Sequence, residues 1–227
     1  MSINPLLLPI SKDADTKRKA VLTNVMKMLQ YRNWINMENL ETNISSAIDL
    51  HTDDDIYKVN LDVNLAVVEF YDDIQNGDGT ILMIKLIHQK VTGINKSPAI
   101  TDFLTNYKKY HKILVVDDMP STKILQQLNS TPNTESFFES FFLINLVEHE
   151  CSPRYHIMSK KEQEDFNKEY QASKNKLCKI YDSDPASRYL YLKKGQIIRI
   201  ERASEITGSS IGYRVVVHKN NNKNNIS

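Results

Sequence analysis

The stretch Asp184-Pro185-Ala186-Ser187-Arg188-Tyr189-Leu190-Tyr191-Leu192-Lys193-Lys194-Gly195-Gln196-Ile197-Ile198-Arg199-Ile200-Glu201-Arg202 decides how this 227-residue chain is built; it is followed by Ser204-Glu205-Ile206-Thr207-Gly208 and closed by Tyr213-Arg214. It reads as a short helix, a basic glycine turn and a β-hairpin. Lys193-Lys194-Gly195 makes the turn, with Gly195 expected at positive φ, where glycine meets no Cβ penalty. A strand over 196–202 follows, Gly208 serves the next turn, and a strand over 210–217 closes the hairpin. No nucleophile, general base or metal-ligating cluster lies within the stretch, so it reads as an assembly surface and not as a reaction centre.

On its N-terminal side, Ser159-Lys160-Lys161-Glu162 is a capping box, in which hydroxyl and carboxylate satisfy backbone donors left open by the first helical turn. Phe166 and Tyr170 continue the buried side of that helix. Cys151-Ser152-Pro153 marks a break, because proline ends strand pairing. Residues 147–218 therefore form a small α+β unit. The asparagine-rich residues 219–227 cannot bury a core and are expected to be a disordered tail.

Upstream, residues 1–146 are expected to form one α/β domain with a mixed sheet covered by helices. Residues 13–32 carry Val21, Leu22, Val25, Met28 and Leu29 on one helical stripe. The acidic run Asp53-Asp54-Asp55 reads as part of a solvated loop over 51–62, with metal binding as the competing reading. Apolar segments 65–71 and 80–88 read as a hairpin across a glycine-containing loop. Ser97-Pro98 opens a helix through about residue 110 whose buried stripe holds Phe103, Leu104 and Tyr107. A strand over 111–117, a helix over 121–129 and a strand over 141–147 complete the domain.

At this length folding can bury roughly 70% of the unfolded surface, so the core needs no covalent staples. The two cysteines, Cys151 and Cys178, lack both disulfide-framework number and zinc-site spacing, and no metal or cofactor is expected. The apolar run Leu6-Leu7-Leu8 is cut by Pro5 and Pro9 and has no basic flank, so it is neither a signal peptide nor a membrane span. The formal net charge is +1, but residues before Val147 sum to roughly −4 and the rest to roughly +5. Such a split excludes a uniform nucleic-acid coat; any DNA contact must be local.

Three catalytic readings fail on spacing. Ile113-Leu114-Val115-Val116-Asp117-Asp118 looks like the opening of a receiver domain with a magnesium-binding acidic pair, but the only later candidate acceptor, Asp165, falls inside a helix. Asp117 and Asp118 read instead as residues that end a strand and cap the helix at Ser121. Asp62, Glu69 and Lys85 superficially suggest a metal-dependent nuclease, yet Glu69 is followed by Phe70 and Tyr71, without the lysine such a site needs two residues on. The six histidines are scattered, and Cys151 points to the opposite strand face from His149.

Residues 149–217 resemble the C-terminal module of the fifth common subunit of eukaryotic and viral multisubunit RNA polymerases, a family with an archaeal counterpart. The likeness begins at His149-Glu150 and Pro153-Arg154. It peaks at Asp184-Pro185, Tyr189-Leu190, Leu192-Lys193-Lys194-Gly195, Ile197-Ile198-Arg199-Ile200, Arg202, Ser204-Glu205, Gly208 and Tyr213-Arg214. The family has glycine where this chain has Tyr191, threonine where Ile206 stands, and an aromatic where Ser209 or Ser210 falls. In the first domain, Tyr31-Arg32-Asn33-Trp34 is similar to the family's exit from its first helix. Met119-Pro120-Ser121-Thr122 with Lys123 falls where the family carries a loop that faces downstream DNA.

The resemblance implies a non-catalytic structural subunit of a DNA-dependent RNA polymerase, present as a single copy in a hetero-oligomeric complex, with an N-terminal jaw domain and a C-terminal assembly domain. It implies docking to the largest subunit, with the small sixth common subunit as a further contact, and downstream duplex DNA at the jaw. Arg188, Tyr189, Lys193, Lys194, Arg199, Arg202 and Arg214 are the expected docking residues, since Arg and Tyr dominate binding hot spots. Pro120, Ser121 and Lys123 are the expected DNA contacts, with an ordinary helix cap as the competing reading. The rival function is a stand-alone DNA-binding or regulatory factor that uses the same module. The expected location is the nucleus, or a virus factory or virion if the chain is viral.

Overall fold

The computed structural model describes residues 13–36, 42, 45, 55–61, 81–88, 91, 93–117, 121–145, 147–149, 152–171, 176–204 and 206–218. The chain divides into two units, residues 1–144 and 145–227. In the first unit the order is α1 (Ala14–Tyr31), β1 (Ile56–Asn60), β2 (Ile81–Ile87), a short 3-10 turn (Ile94–Lys96), α2 (Pro98–Asn106), β3 (His111–Val116), α3 (Thr122–Asn129), β4 (Thr134–Phe138) and the single helical turn α4 (Glu139–Phe142). The sheet runs β1-β2-β3-β4; β1 is antiparallel to β2, while β2, β3 and β4 are parallel.

Strands buried on both faces read as continuous apolar runs. Every residue of β3 is buried, and so are all of β2 but the first. Parallel neighbours need crossovers, which α2 and α3 supply. Phe103 and Ile100 of α2 and Ile124 and Leu128 of α3 pack with Met83, Ile87, Leu114 and Val116. The stripe of α1 is completely buried at Val21, Leu22, Val25, Met28 and Leu29, as its spacing predicts.

Three expectations in this unit are corrected. Residues 51–62 are not all loop: β1 pairs with β2 from Ile56↔Lys85 to Asn60↔Ile81, with Tyr57 and Val59 facing inward at period two. The last strand is Thr134–Phe138 and not 141–147. After it the chain turns helical, which brings the ring of Phe142 to 5.1 Å from Phe137, and the side-chain amide of Asn24 in α1 donates to the Phe142 carbonyl at 2.6 Å. A continued strand would have carried Phe142 away from α1. Helix α2 ends at Asn106, short of residue 110, with Pro98 in its first turn as expected. Residues 65–71, with the expected first strand of a hairpin, lie outside the described residues, as do Asp53, Asp54, Asp62, Glu69, Asp118, Pro120, Cys151 and the tail from residue 219.

The second unit contains β5 (Arg154–Ile157), α5 (Lys160–Tyr170), β6 (Cys178–Tyr181), α6 (Pro185–Tyr189), β7 (Ile197–Ser204) and β8 (Gly208–Val217), with strand order β5-β7-β8-β6. The capping box is formed: Glu162 N–H donates to Ser159 Oγ at 3.2 Å and Ser159 N–H to Glu162 Oε2 at 2.7 Å. Phe166 is buried and stacks on Tyr213, 4.5 Å between centroids, which fastens α5 to one face of the sheet. Tyr170 is exposed, its ring 4.9 Å from Phe166.

Candidate functional site

Asp184 caps α6 by accepting from Ala186 N–H at 2.9 Å, and Pro185 fills the first helical position, where no N–H is missed. The chain then makes the basic turn. Lys193 N–H donates to Gln196 Oε1 at 2.7 Å, Gly195 N–H to the Val216 carbonyl at 2.9 Å, and Val216 N–H to the Gln196 carbonyl at 2.9 Å. The first closes the turn on itself, and the other two staple it to β8. Gly195 sits at φ 86, the value that demands glycine. Tyr191 sits at φ 54, so the family's glycine at this position answers a left-handed backbone and not only a tight space. Part of that cost is offset because Lys193 Nζ lies 3.9 Å from the Tyr191 ring centroid.

The expected docking residues separate into three groups. Lys194 and Arg202 are exposed, and Arg188, Lys193, Arg199 and Arg214 are half-buried. Arg199 lies 3.7 Å from Glu201 on its own strand. Tyr189 is a correction: it is 1% exposed, and its hydroxyl donates to Asn145 Oδ1 at 3.1 Å, so it belongs to the core of the unit. A five-residue helix in a small unit buries one side, and Ala186 and Tyr189, three apart, lie on that side. Sequence reasoning passed over Tyr155, half-buried on β5. Burial pushes its phenol up, Asp184 adds to the shift, and Arg202 and Arg214 oppose it.

In the first unit, Ser121 stands at the N-cap of α3 without a side-chain capping bond, and it and Lys123 are exposed. Lys123, Gln126, Gln127, Ser130, Thr131 and Pro132 line a shallow open groove along α3. Asp117 ends β3, its N–H donating to the Ile87 carbonyl at 3.0 Å, but its carboxylate bonds to Glu139 instead of capping the helix. Burial pushes the Glu139 carboxyl up, and Asp117 adds to that through a hydrogen bond and repulsion; Lys17 and His88 act against it. Among the described residues no three His, Cys, Asp or Glu side chains form a group fit for a metal ion, and no helix is long and apolar enough to cross a membrane.

A buried charge cluster was not legible beforehand. Arg32, completely buried, donates from Nη1 and Nη2 to both Glu135 oxygens at 2.7 and 2.8 Å, and His111 Nε2 lies 2.8 Å from Glu135 Oε1. The guanidinium carbon is 4.8 Å from the Trp34 ring centroid. Burial alone would push Glu135 up, but Arg32 and His111 bring it down to about 2. Nearby, Lys112 is 1% exposed and donates to the carbonyls of Tyr110, Tyr107 and Pro132 at 2.9, 3.3 and 3.4 Å. Burial pushes its ammonium down. Arg32 was visible in Tyr31-Arg32-Asn33-Trp34; its partner, 103 residues away, was not.

Both units hold charge, compensated in the first and left at the surface in the second, and comparison with known proteins gives that arrangement a context. The family profile described as RNA polymerase Rpb5, C-terminal domain, matches residues 144–216. The chain is 36% identical over 223 residues to DNA-directed RNA polymerase subunit 5 of Acanthamoeba polyphaga mimivirus, covering 96% of this chain and 100% of that protein. It is 31% identical over 137 residues to DNA-directed RNA polymerases I, II, and III subunit RPABC1 of Caenorhabditis briggsae, 60% of each chain. With the corresponding Dictyostelium discoideum subunit, rpabc1, it is 29% identical over 129 residues, 50% of this chain and 66% of that one. Likeness to the viral protein over its full length, together with the profile match on the basic turn and hairpin, means that the chain belongs to the Rpb5 family, the fifth subunits of DNA-directed RNA polymerases.

Proposed function

We propose that this chain, as a structural subunit of a multisubunit DNA-directed RNA polymerase, docks on the largest subunit through residues 147–218 and presents residues 1–146 as a jaw to downstream duplex DNA. The observation that carries the subunit reading is the alignment with the mimivirus protein along that protein's whole length. The docking reading is supported by Arg188, Lys193, Lys194, Arg199, Arg202 and Arg214, cations that reach the surface of one small unit. Contact with the sixth common subunit belongs to the same proposal.

The jaw reading is supported by the start of α3. The groove lined by Lys123, Gln126, Gln127 and Ser130 offers one cation and side-chain amide donors with no carboxylate, a composition that holds a phosphate backbone without reading bases. Viral and eukaryotic relatives fit work in a nucleus, a virus factory or a virion.

Affinity purification through a tag on the tail tests the reading. A structural subunit is retained at one copy per polymerase in high salt and incorporates no nucleotide when isolated; a stand-alone factor washes off. Photo-cross-linking from Pro120 or Lys123 in the assembled enzyme is expected to capture downstream DNA, and capture of none would leave α3 with an ordinary helix start.

A further inference from the structure

The two long strands of the second unit run past their neighbours. β5 accompanies β7 only over 198–201, and β6 accompanies β8 only over 214–217, whereas β7 and β8 stay paired as far as Ser204↔Gly208. On one face of this sheet Tyr155, Ile200 and Gly212 form a cross-strand row. Residues two apart along a strand share a face. Arg202, two past Ile200, and Arg214, two past Gly212, therefore bracket that row from opposite sides, and both act on the Tyr155 phenol. The floor between them is bare, since a Cβ built on Gly212 meets nothing within 4 Å. Its strand neighbour on this face, Ser210, is exposed. Neither guanidinium has a hydrogen-bond or ion-pair partner among the described residues, in contrast to Arg199 beside Glu201.

We propose that this platform is a docking site for an acidic segment of a neighbouring polymerase subunit, which lays a carboxylate side chain over Gly212, between Arg202 and Arg214 and against Tyr155. The inference rests on the subunit reading above and adds the place and chemistry of one contact. Guanidinium groups match carboxylates in planar, two-pronged geometry, and arginine and tyrosine together make the strongest interface anchors. The charge of the unit suits such a partner, because residues from Val147 onward sum to roughly +5. A nucleic-acid strand fits less well. Asp184, the carboxylate that acts on the Tyr155 phenol, repels a continuous run of phosphates passing that ring, whereas a single carboxylate over Gly212 is held between the two guanidinium groups. Ile206 at the hairpin tip is 96% exposed, apolar surface that a protein segment covers and a phosphate backbone does not.

The test places a photo-cross-linking phenylalanine at position 212 of the full chain, assembled in its polymerase, and identifies the captured peptide by mass spectrometry. The expected peptide comes from another polymerase subunit and holds at least two Asp or Glu within about five residues, the density needed to serve both arginines. Gly212→Leu, which fills the open floor without touching a neighbour, and the double variant Arg202→Glu/Arg214→Glu are each expected to lower retention of the chain in high salt by about tenfold. Lys179→Glu, on exposed β6, serves as the control and retains the wild-type level. Capture of nucleic acid, capture of a peptide without an acidic cluster, or wild-type retention of both variants would overturn the inference. Failure of the unaltered chain to co-purify with polymerase would instead overturn the subunit reading beneath it. Thermal melting of each variant, expected to match the unaltered chain, separates lost docking from lost folding; the cross-link is independent of both.

Discussion

Arg32 in the first unit and Arg202 with Arg214 in the second each lie beside an aromatic ring, yet the chain uses them in opposite ways. Arg32 is fully buried against Trp34, and both its outer nitrogens meet Glu135. Arg202 and Arg214 flank Tyr155, and among the described residues no carboxylate closes on them. A charge compensated within the fold contributes to holding that fold and has nothing left to offer outside. A charge left open on a sheet face adds little stability, and its interaction energy becomes available on association. The difference separates a fold-keeping arginine from a binding one more sharply than residue type does.

The largest test of that contrast removes Glu135. Glu135→Ala leaves the Arg32 guanidinium buried without its counter-charge and is expected to cost about 3–5 kcal/mol, read by denaturant unfolding of the first unit. The acid limb should show the same group. Because the folded Glu135 carboxyl lies near 2 against an ordinary value of 4.5, its stabilisation is present above pH 4.5 and is lost as pH falls toward 2. An unfolding profile in which Glu135→Gln and the unaltered chain have equal pH dependence between those values would refute this assignment.

Next comes Lys112, whose ammonium serves three carbonyls. Lys112→Met is expected to cost about 1–3 kcal/mol, because it leaves the Tyr110, Tyr107 and Pro132 oxygens without that donor. On the side of the second unit the folding effects are smaller and come from the backbone. Gly195→Ala, at φ 86, is expected to cost about 1–2 kcal/mol. Tyr191→Gly, at φ 54, should cost nothing or raise the melting temperature slightly, since relief of the left-handed backbone opposes loss of the Lys193 contact. Arg202→Ala and Arg214→Ala come last: the free chain should melt as before, and only assembly with polymerase should weaken.

Much of the fold was legible because the relevant signals are local. The β3 run Ile113-Leu114-Val115-Val116, the Ser97-Pro98 helix start, the Ser159 to Glu162 capping box and the positive φ of Gly195 each depend on a few consecutive residues. The misses have a common cause as well. Strand β1 was hidden by the acidic run before it, although Tyr57 and Val59 alternate correctly. The aromatic run around Phe141 reads as a strand until α1 draws Phe142 back across Phe137. Tyr189 reads as a surface anchor until folding buries it and brings its hydroxyl to Asn145.

By itself, then, the order of residues determined the helix starts, the glycine turn, the long hairpin and, through 36% identity along a whole relative, the family. Those properties rest on neighbours in the chain or on inheritance of the whole pattern. Only the tertiary structure decided which charges were spent inside and which were left open. Arg32 and Glu135 are 103 residues apart, and the cross-strand row of Tyr155, Ile200 and Gly212 joins three separate strands. Compensation of a charge depends on distance and burial, and neither exists until the chain has folded.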